Sequence, residues 1–191
     1  NRDKMGKAML SIIVVFAQLE RSNIIDRVRS TYYQRAEQGF YLGGPAPFGF
    51  VKEKCSINNK KTSYLVPDEK VISIVKEMFR KYAYDETVTL GKLKKWLVSC
   101  DILTARGLPW TSASMSRILR NPVYVRADAD IYTYLHDVKK ATVNNDVKEF
   151  TGVYGCYTYV PGSGSDSETK KDKFAHMDKL NVTIAPHEGV V

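Results

Sequence analysis

The chain has 191 residues, of which 43% are hydrophobic and 26% charged, and its formal net charge is +8 at neutral pH. This composition excludes an intrinsically disordered protein, and the length suits one domain with an extension or two small domains. We expect no membrane-spanning segment. The three cysteines are widely spaced, which argues against a disulfide framework and fits a cytoplasmic protein. The three histidines are equally scattered, which argues against a metal site.

The positive charge is concentrated in the middle of the chain. Residues 1–50 carry a net charge of +3, residues 51–126 carry +8 and residues 127–191 carry −3. A basic middle beside an acidic end predicts contact with a polyanion, most readily nucleic acid. Charge alone leaves open the alternative of a solvated basic face without a partner.

The first predicted element is one long helix from Met5 to about Gln38, with Gly39 as its C-terminal stop. The first half has apolar residues at heptad spacing, which predicts a dimerisation seam. The seam consists of Met5, Met9, Ile12, Phe16 and Leu19. The second half is richer in arginine and tyrosine. Because the whole helix would be roughly 50 Å long, at about 1.5 Å per residue, we expect one half to pack and the other to project.

Residues 41–50, YLGGPAPFGF, are rich in glycine, proline and aromatic residues. They predict an extended arm or an interdomain linker over residues 40–50. Residues 51–54 and 63–66, with a polar turn near residues 57–60, then predict a short hairpin.

The next segment predicts three helices. After Asp68, apolar residues from Val71 to Tyr82 recur at helical spacing and predict an amphipathic helix. Thr89 can cap a second helix whose lysines point outward, and Thr111 or Ser112 can cap a third that ends near Arg120. The last two helices resemble a helix-turn-helix with a lengthened turn. An ordinary three-helix domain remains the alternative.

Beyond residue 126 the patterns are weaker. They predict a helix over residues 128–140, a strand over 152–160, a loop over 161–173 and a strand over 181–185. The predicted fold class is therefore α+β, mainly α with minor β. The predicted divisions are the long helix, 1–39, the arm, 40–50, a helical domain, 51–126, and a connecting region, 127–191.

Two stretches resemble the large serine recombinases, which include phage integrases and conjugative-transposon recombinases and are relatives of resolvase and invertase. The first is MGKAMLSIIVVFAQLERSNIIDRVRSTYYQRAEQG followed by GGPAPFGF. The second is VPDEKVISIVKEMFRKY followed by GLPWTSASMSRILRNPVY. The resemblance covers about residues 3–126, and both motifs occur in family order.

The resemblance implies a fragment of a site-specific recombinase encoded by a mobile element. In that family the first half of the long helix pairs with a second copy, the second half lies over the DNA minor groove, and the arm crosses the groove. The implied partners are a second copy in a homodimer, further copies in the tetramer of the full recombinase, and double-stranded DNA carrying attachment sites. The resemblance implies no membrane partner. Both chain ends look like cuts through a larger protein.

The family joins a serine to DNA through a 5′-phosphoserine link. That serine lies upstream of Asn1, so we expect this chain alone to be inactive. Arg21 matches the arginine of a Glu-Arg pair near the family's active site. An arginine that only forms an ion pair on the helix surface is an equally good interpretation of Arg21. The cysteines of the family's zinc ribbon are missing. We expect zinc only in a domain beyond Val191 and no cofactor in this chain.

The predicted DNA-binding residues fall on the helix, the arm and the helical domain. Ser114 and Arg117 are predicted to face a groove, and Lys95, Arg106 and Arg120 to contact phosphates. The remaining candidates are Arg27, Arg29, Arg35, Gly43, Gly44, Pro45, Thr111 and Ser112. Two rival functions stay open at this point: a helix-turn-helix transcription regulator with a coiled-coil dimerisation helix, and a structural dimerisation module without a DNA role.

Overall fold

The computed structural model describes residues 2–57, 60–161 and 172–191. The tip of the predicted hairpin and most of the predicted loop at 161–173 lie outside the described residues. The chain divides into two compact units, Asn1–Arg35 and Ala36–Val191. The predicted divisions at 50/51 and 126/127 both fall inside the second unit.

A single helix, α1, runs from Arg2 to Glu37 and confirms the predicted long helix. Gly39 ends it with a φ of +75° and donates its N–H to the Ala36 carbonyl at 2.9 Å. The apolar side chains from Met5 to Leu19 are all more than half exposed. They surround the helix rather than lining one face, because the residues between the seam positions are apolar too.

One helix reaches the length of a membrane span, contrary to the expectation that no run approaches it. Lys4–Glu37 is long and apolar enough to cross a membrane, by length and composition alone. The charged residues of the segment are concentrated toward its C-terminal half, so an 18-residue window can be nearly free of charge.

The second unit begins with the predicted hairpin, strands β1, Phe50–Ile57, and β2, Lys60–Pro67, paired antiparallel. Helix α2, Glu69–Tyr84, follows with Asp68 as its N-cap. It buries Ile72, Val75 and Met78, whereas Tyr82, predicted on the apolar face, is 44% exposed. Gly49 lies close to this buried face: a Cβ on Gly49 would lie 2.8 Å from Ile72 Cδ1.

Helices α3, Leu90–Ser99, and α4, Ser112–Leu119, confirm the other two predicted helices and the predicted caps Thr89 and Thr111. Asn121 caps a short 3-10 turn, Pro122–Tyr124, that ends the helical segment.

The region after residue 126 contains the predicted helix and both predicted strands. Helix α5, Ala129–Thr133, continues as a π turn, Tyr134–Val138. Strands β4, Tyr154–Tyr159, and β5, Asn181–Glu188, pair antiparallel, and the unpredicted β3, Thr142–Val143, pairs parallel to β5 in the order β3-β5-β4. Three 3-10 turns, Val147–Glu149, Lys173–Ala175 and Met177–Lys179, complete the described connections.

The end of the chain closes the hydrophobic core of the second unit. Val190 is buried among Phe50, Val123 and Tyr124, and its N–H donates to the Tyr124 carbonyl at 3.0 Å. His187 Nε2 donates to the Val123 carbonyl at 2.9 Å, and burial lowers the pKa of that imidazole. The α+β class is confirmed, with the sheet of β3, β5 and β4 in the same compact unit.

Candidate nucleic-acid interface

Helices α3 and α4 are held together by a buried core that also includes α2. Its buried members are Met78, Leu93, Leu97, Trp110 and Met115. Phe48 packs edge to face on Trp110 with ring centroids 4.9 Å apart. The three helices therefore form a fixed support for the side chains on their outer surface.

The outer face of α3 is basic. Lys92, Lys94 and Lys95 are exposed, whereas Leu93 and Leu97 on the other face are buried. Lys92 Nζ contacts the Thr87 hydroxyl at 3.3 Å. The predicted phosphate contact Lys95 thus lies on a solvent-exposed basic face.

The loop between α3 and α4 presents Arg106 on a tight turn. Thr104 and Leu108 bracket it: the Thr104 N–H donates to the Leu108 carbonyl at 3.0 Å, and the Leu108 N–H donates to the Thr104 hydroxyl oxygen at 3.2 Å. Gly107 adopts a φ of +69° and donates to the Thr104 carbonyl at 2.8 Å. These bonds fix the backbone that carries the exposed Arg106.

The N-terminus of α4 is capped by a reciprocal pair of side chains. The Ser114 N–H donates to the Thr111 hydroxyl at 3.1 Å, and the Ser114 hydroxyl accepts from the Thr111 N–H at 3.0 Å. The Ser114 hydroxyl also donates to the Thr111 carbonyl at 2.8 Å, so the predicted groove-facing residue serves the cap in this structure. Ser112 and Ala113 are exposed in the first turn, where the helix dipole favours an anion.

The C-terminal end of α4 carries Arg117 and Arg120. Both residues are exposed. Arg120 Nη2 lies 2.6 Å from Asp172 Oδ2, and its Nε donates to the Ser116 carbonyl at 3.3 Å. The predicted phosphate contact Arg120 is therefore ion-paired within the chain.

The segment at 40–50, predicted as an extended arm or a linker, contains a bend at Gly43 and Gly44. Gly43 and Gly44 have φ values of +128° and +83°, and the Tyr41 hydroxyl donates to the Pro45 carbonyl across the bend. Lys52 Nζ donates to the Gly44 carbonyl at 2.9 Å. The glycines allow the turn, and these two contacts hold it. The predicted residues Gly43, Gly44 and Pro45 are nevertheless exposed.

The candidates on α1 belong to the first unit. Arg21, Arg27 and Arg29 are exposed, and Arg35 is half-buried. Arg29 Nη1 lies 3.9 Å from Asp26 Oδ1, a solvent-exposed pair of small energetic value. Arg21, Arg27 and Arg29 therefore give the helix an exposed cationic stretch after its apolar half.

Two buried titratable groups with shifted pKa values lie outside this surface. Burial and the Asp128 carboxylate raise the pKa of Cys156 to about 12, so this thiol stays neutral and is a poor nucleophile. Burial lowers the pKa of Lys173 to about 8. Among the described residues no group of three or more histidine, cysteine or acidic side chains could hold a metal ion.

Two residues of this surface escaped the sequence analysis. Thr104 fixes the turn that carries Arg106, and a threonine three residues before a glycine is a local signal that could have revealed it. Asp172, which pairs with Arg120, lies 52 positions away along the chain and carries no local signal.

Comparison with known proteins places the match over the helical module and the region after it. A family model described as Recombinase matches residues 69–191, from the start of α2 to the end of the chain. No curated protein and no solved structure matches the chain. The matched region overlaps the motif-based resemblance at residues 69–126 and adds the acidic C-terminal part, which that resemblance did not cover.

Proposed function

The chain belongs to the Recombinase family, and we propose that it is the DNA-binding part of a serine site-specific recombinase. The α3–α4 module binds duplex DNA, and α1 pairs with the same helix of a second copy. The parent protein cuts and rejoins DNA through a phosphoserine intermediate whose serine lies outside this chain.

One observation carries the DNA-binding proposal: the module presents cations and a helix N-terminus from a rigid support. Lys95 lies on the exposed face of α3, and Arg106 is displayed on a turn fixed by four hydrogen bonds. The N-terminus of α4 can accept a phosphate at its first-turn N–H groups. Because this array is already fixed, it loses little conformational entropy when it binds a polyanion, and this favours binding.

The proposal assigns different roles to the two kinds of contact. Lys95 and Arg106 neutralise phosphates and position the module on the duplex without reading sequence. Arg117, exposed on α4, contacts base edges in the major groove, where an arginine can donate two hydrogen bonds to guanine. The N-cap Thr111 and the first-turn residue Ser112 lie beside the DNA backbone.

Pairing through α1 is supported by its exposed apolar half. A continuous exposed apolar surface of this length indicates a site where another apolar surface binds. A second copy of the same helix provides matching heptads, and the arginines beyond Glu20 are then carried beside DNA near the crossover point.

The test is duplex DNA binding by the 191-residue chain, measured by fluorescence anisotropy over a range of salt concentrations. We expect log Kobs to fall linearly with log salt, and Arg106→Ala and Lys95→Ala each to reduce the slope by about 0.9, because each removes one phosphate contact. Arg117→Ala should cost about 1–3 kcal/mol and relax the preference at one base pair.

Lys148→Ala is the matched control, because Lys148 is an exposed lysine in the acidic third of the chain. Its slope should equal that of the wild type. Binding that does not weaken with salt contradicts the DNA role and favours a purely structural dimerisation module. A covalent protein–DNA adduct formed by this chain would contradict the assignment of the nucleophile to another part of the parent.

A further inference from the structure

We infer that Asp172 withholds Arg120 from DNA and thereby limits the sequence-independent affinity of the α3–α4 module. The inference rests on the proposed function, since it concerns how strongly that same surface binds phosphates. It assigns an affinity-limiting role to a residue outside the helical module.

The contact is specific in geometry. Arg120 Nη2 lies 2.6 Å from Asp172 Oδ2, and Arg120 Nε donates to the Ser116 carbonyl one turn earlier in α4. These two bonds fold the guanidinium back along its own helix and toward the chain after residue 171. A phosphate that binds Arg120 must compete with a carboxylate already in place.

The pair is also poorly suited to a purely stabilising role. Asp172 Oδ1 is buried and has no hydrogen-bond partner among the described residues, so half of the carboxylate loses water without replacement. A buried acceptor left in this state offsets much of the Coulomb energy of the pair. The pair therefore gives little net stability, and opening it returns Oδ1 to water.

The position of the pair gives it an effect on DNA binding. Arg120 is the C-cap of α4, the helix whose other end presents Ser112 to solvent. Asp172 belongs to the region of the chain with a net charge of −3. Closing the pair removes one cation from the basic surface and adds a negative charge beside it. Both effects lower the affinity for every duplex by the same factor, because neither involves a base edge, so the pair limits the affinity that does not depend on sequence.

The experiment measures binding of the 191-residue chain to two short duplexes of unrelated random sequence at several salt concentrations. Asp172→Asn keeps the shape of the side chain and removes its charge. We expect it to raise the affinity for both duplexes by about tenfold at low salt and to steepen the salt slope by about 0.9, because one additional phosphate contact releases counterions.

A double-mutant cycle separates this role from a general change of charge. Arg120→Ala should lower the affinity by about tenfold in the Asp172→Asn background and by less than about threefold in the wild type, since only the unpaired arginine reaches phosphate. Equal losses in both backgrounds, or a gain confined to one duplex, overturn the inference.

The outcomes distinguish the two proposals. If the wild type does not bind duplex DNA at all, the proposed function fails. If it binds and Asp172→Asn binds no better, only the role of Asp172 fails. Should Asp172→Asn lose its folded circular dichroism, Arg120→Ala in the wild type decides alone. A loss of affinity above about threefold means that Arg120 already lies on DNA and overturns the inference, and a smaller loss supports it.

Discussion

The apolar half of α1 and the helical module α2–α4 have similar apolar residues but differ in how far those residues are buried. Leu93, Leu97 and Met115 are almost completely buried, whereas Phe16 is 67% exposed. The module alternates apolar and polar residues at helical spacing, so each helix has one face to bury. The first half of α1 is apolar on nearly all sides and has no polar face to give to water. The comparison shows that apolar content alone does not build a core within one chain, because an apolar helix is buried only where another surface covers it.

The largest expected contrast is in truncation of an aromatic residue. Trp110→Ala should destabilise the second unit by about 3–5 kcal/mol, because Trp110 is 2% exposed and its removal leaves a cavity. Phe16→Ala on α1 should leave that stability unchanged. Thermal or urea unfolding followed by fluorescence reports on the second unit in both variants, since Trp96 remains in it. A clear loss of second-unit stability in Phe16→Ala would contradict this prediction.

A smaller contrast is expected between two glycines. Gly49→Ala should cost about 2–4 kcal/mol, because the residue has a φ of +89° and its Cβ would lie 2.8 Å from Ile72 Cδ1. Gly6→Ala on α1 meets nothing within 4 Å and should raise the helicity of α1, stabilising it by about 0.5–1 kcal/mol. Far-UV circular dichroism with chemical denaturation measures both. Similar stabilities for the Gly49→Ala variant and the wild type would contradict the close approach of the hairpin to α2.

The smallest contrast concerns two threonines. Thr111→Ala should cost about 1 kcal/mol, because Thr111 caps α4 and its loss leaves the Ser114 N–H without its acceptor. Thr31 lies inside α1, where its hydroxyl donates to the Arg27 carbonyl at 3.0 Å. Thr31→Ala should be neutral or favourable by a few tenths of a kcal/mol, since alanine is the better helix former. Equal effects of the two substitutions in denaturant unfolding would mean that the cap contributes nothing to α4.

Much of the fold could be predicted because its signals are local. The caps Asp68, Thr89 and Thr111 each satisfy an N–H two or three residues ahead. Gly39 ends α1 with a bond back to Ala36. The hairpin and the amphipathic spacing of α2 depend on similarly short separations, and all of these elements are confirmed.

The candidate site could be predicted only in part. The exposure of Lys95 and Arg106 follows from their helix face and their polar loop, and both are exposed. Their contact with DNA stays a prediction, as does dimerisation through α1. The pairing of Arg120 with Asp172 could not be foreseen, because nothing near either residue in the chain indicates the other. The bend at residues 43–45 was also missed, since glycine and proline are compatible with both extended and turned backbone.

By itself the sequence determined most of the helices and strands, though not β3, and that the basic middle of the chain suits a polyanion. Its motifs also led to the Recombinase family, which the match over residues 69–191 confirms. Only the tertiary structure decided that the last residues complete the core around Tyr124 and that Arg120 is held by Asp172. The physical reason is distance along the chain: hydrogen bonds within a few residues are fixed by local identity, whereas contacts between distant segments depend on how whole faces pack.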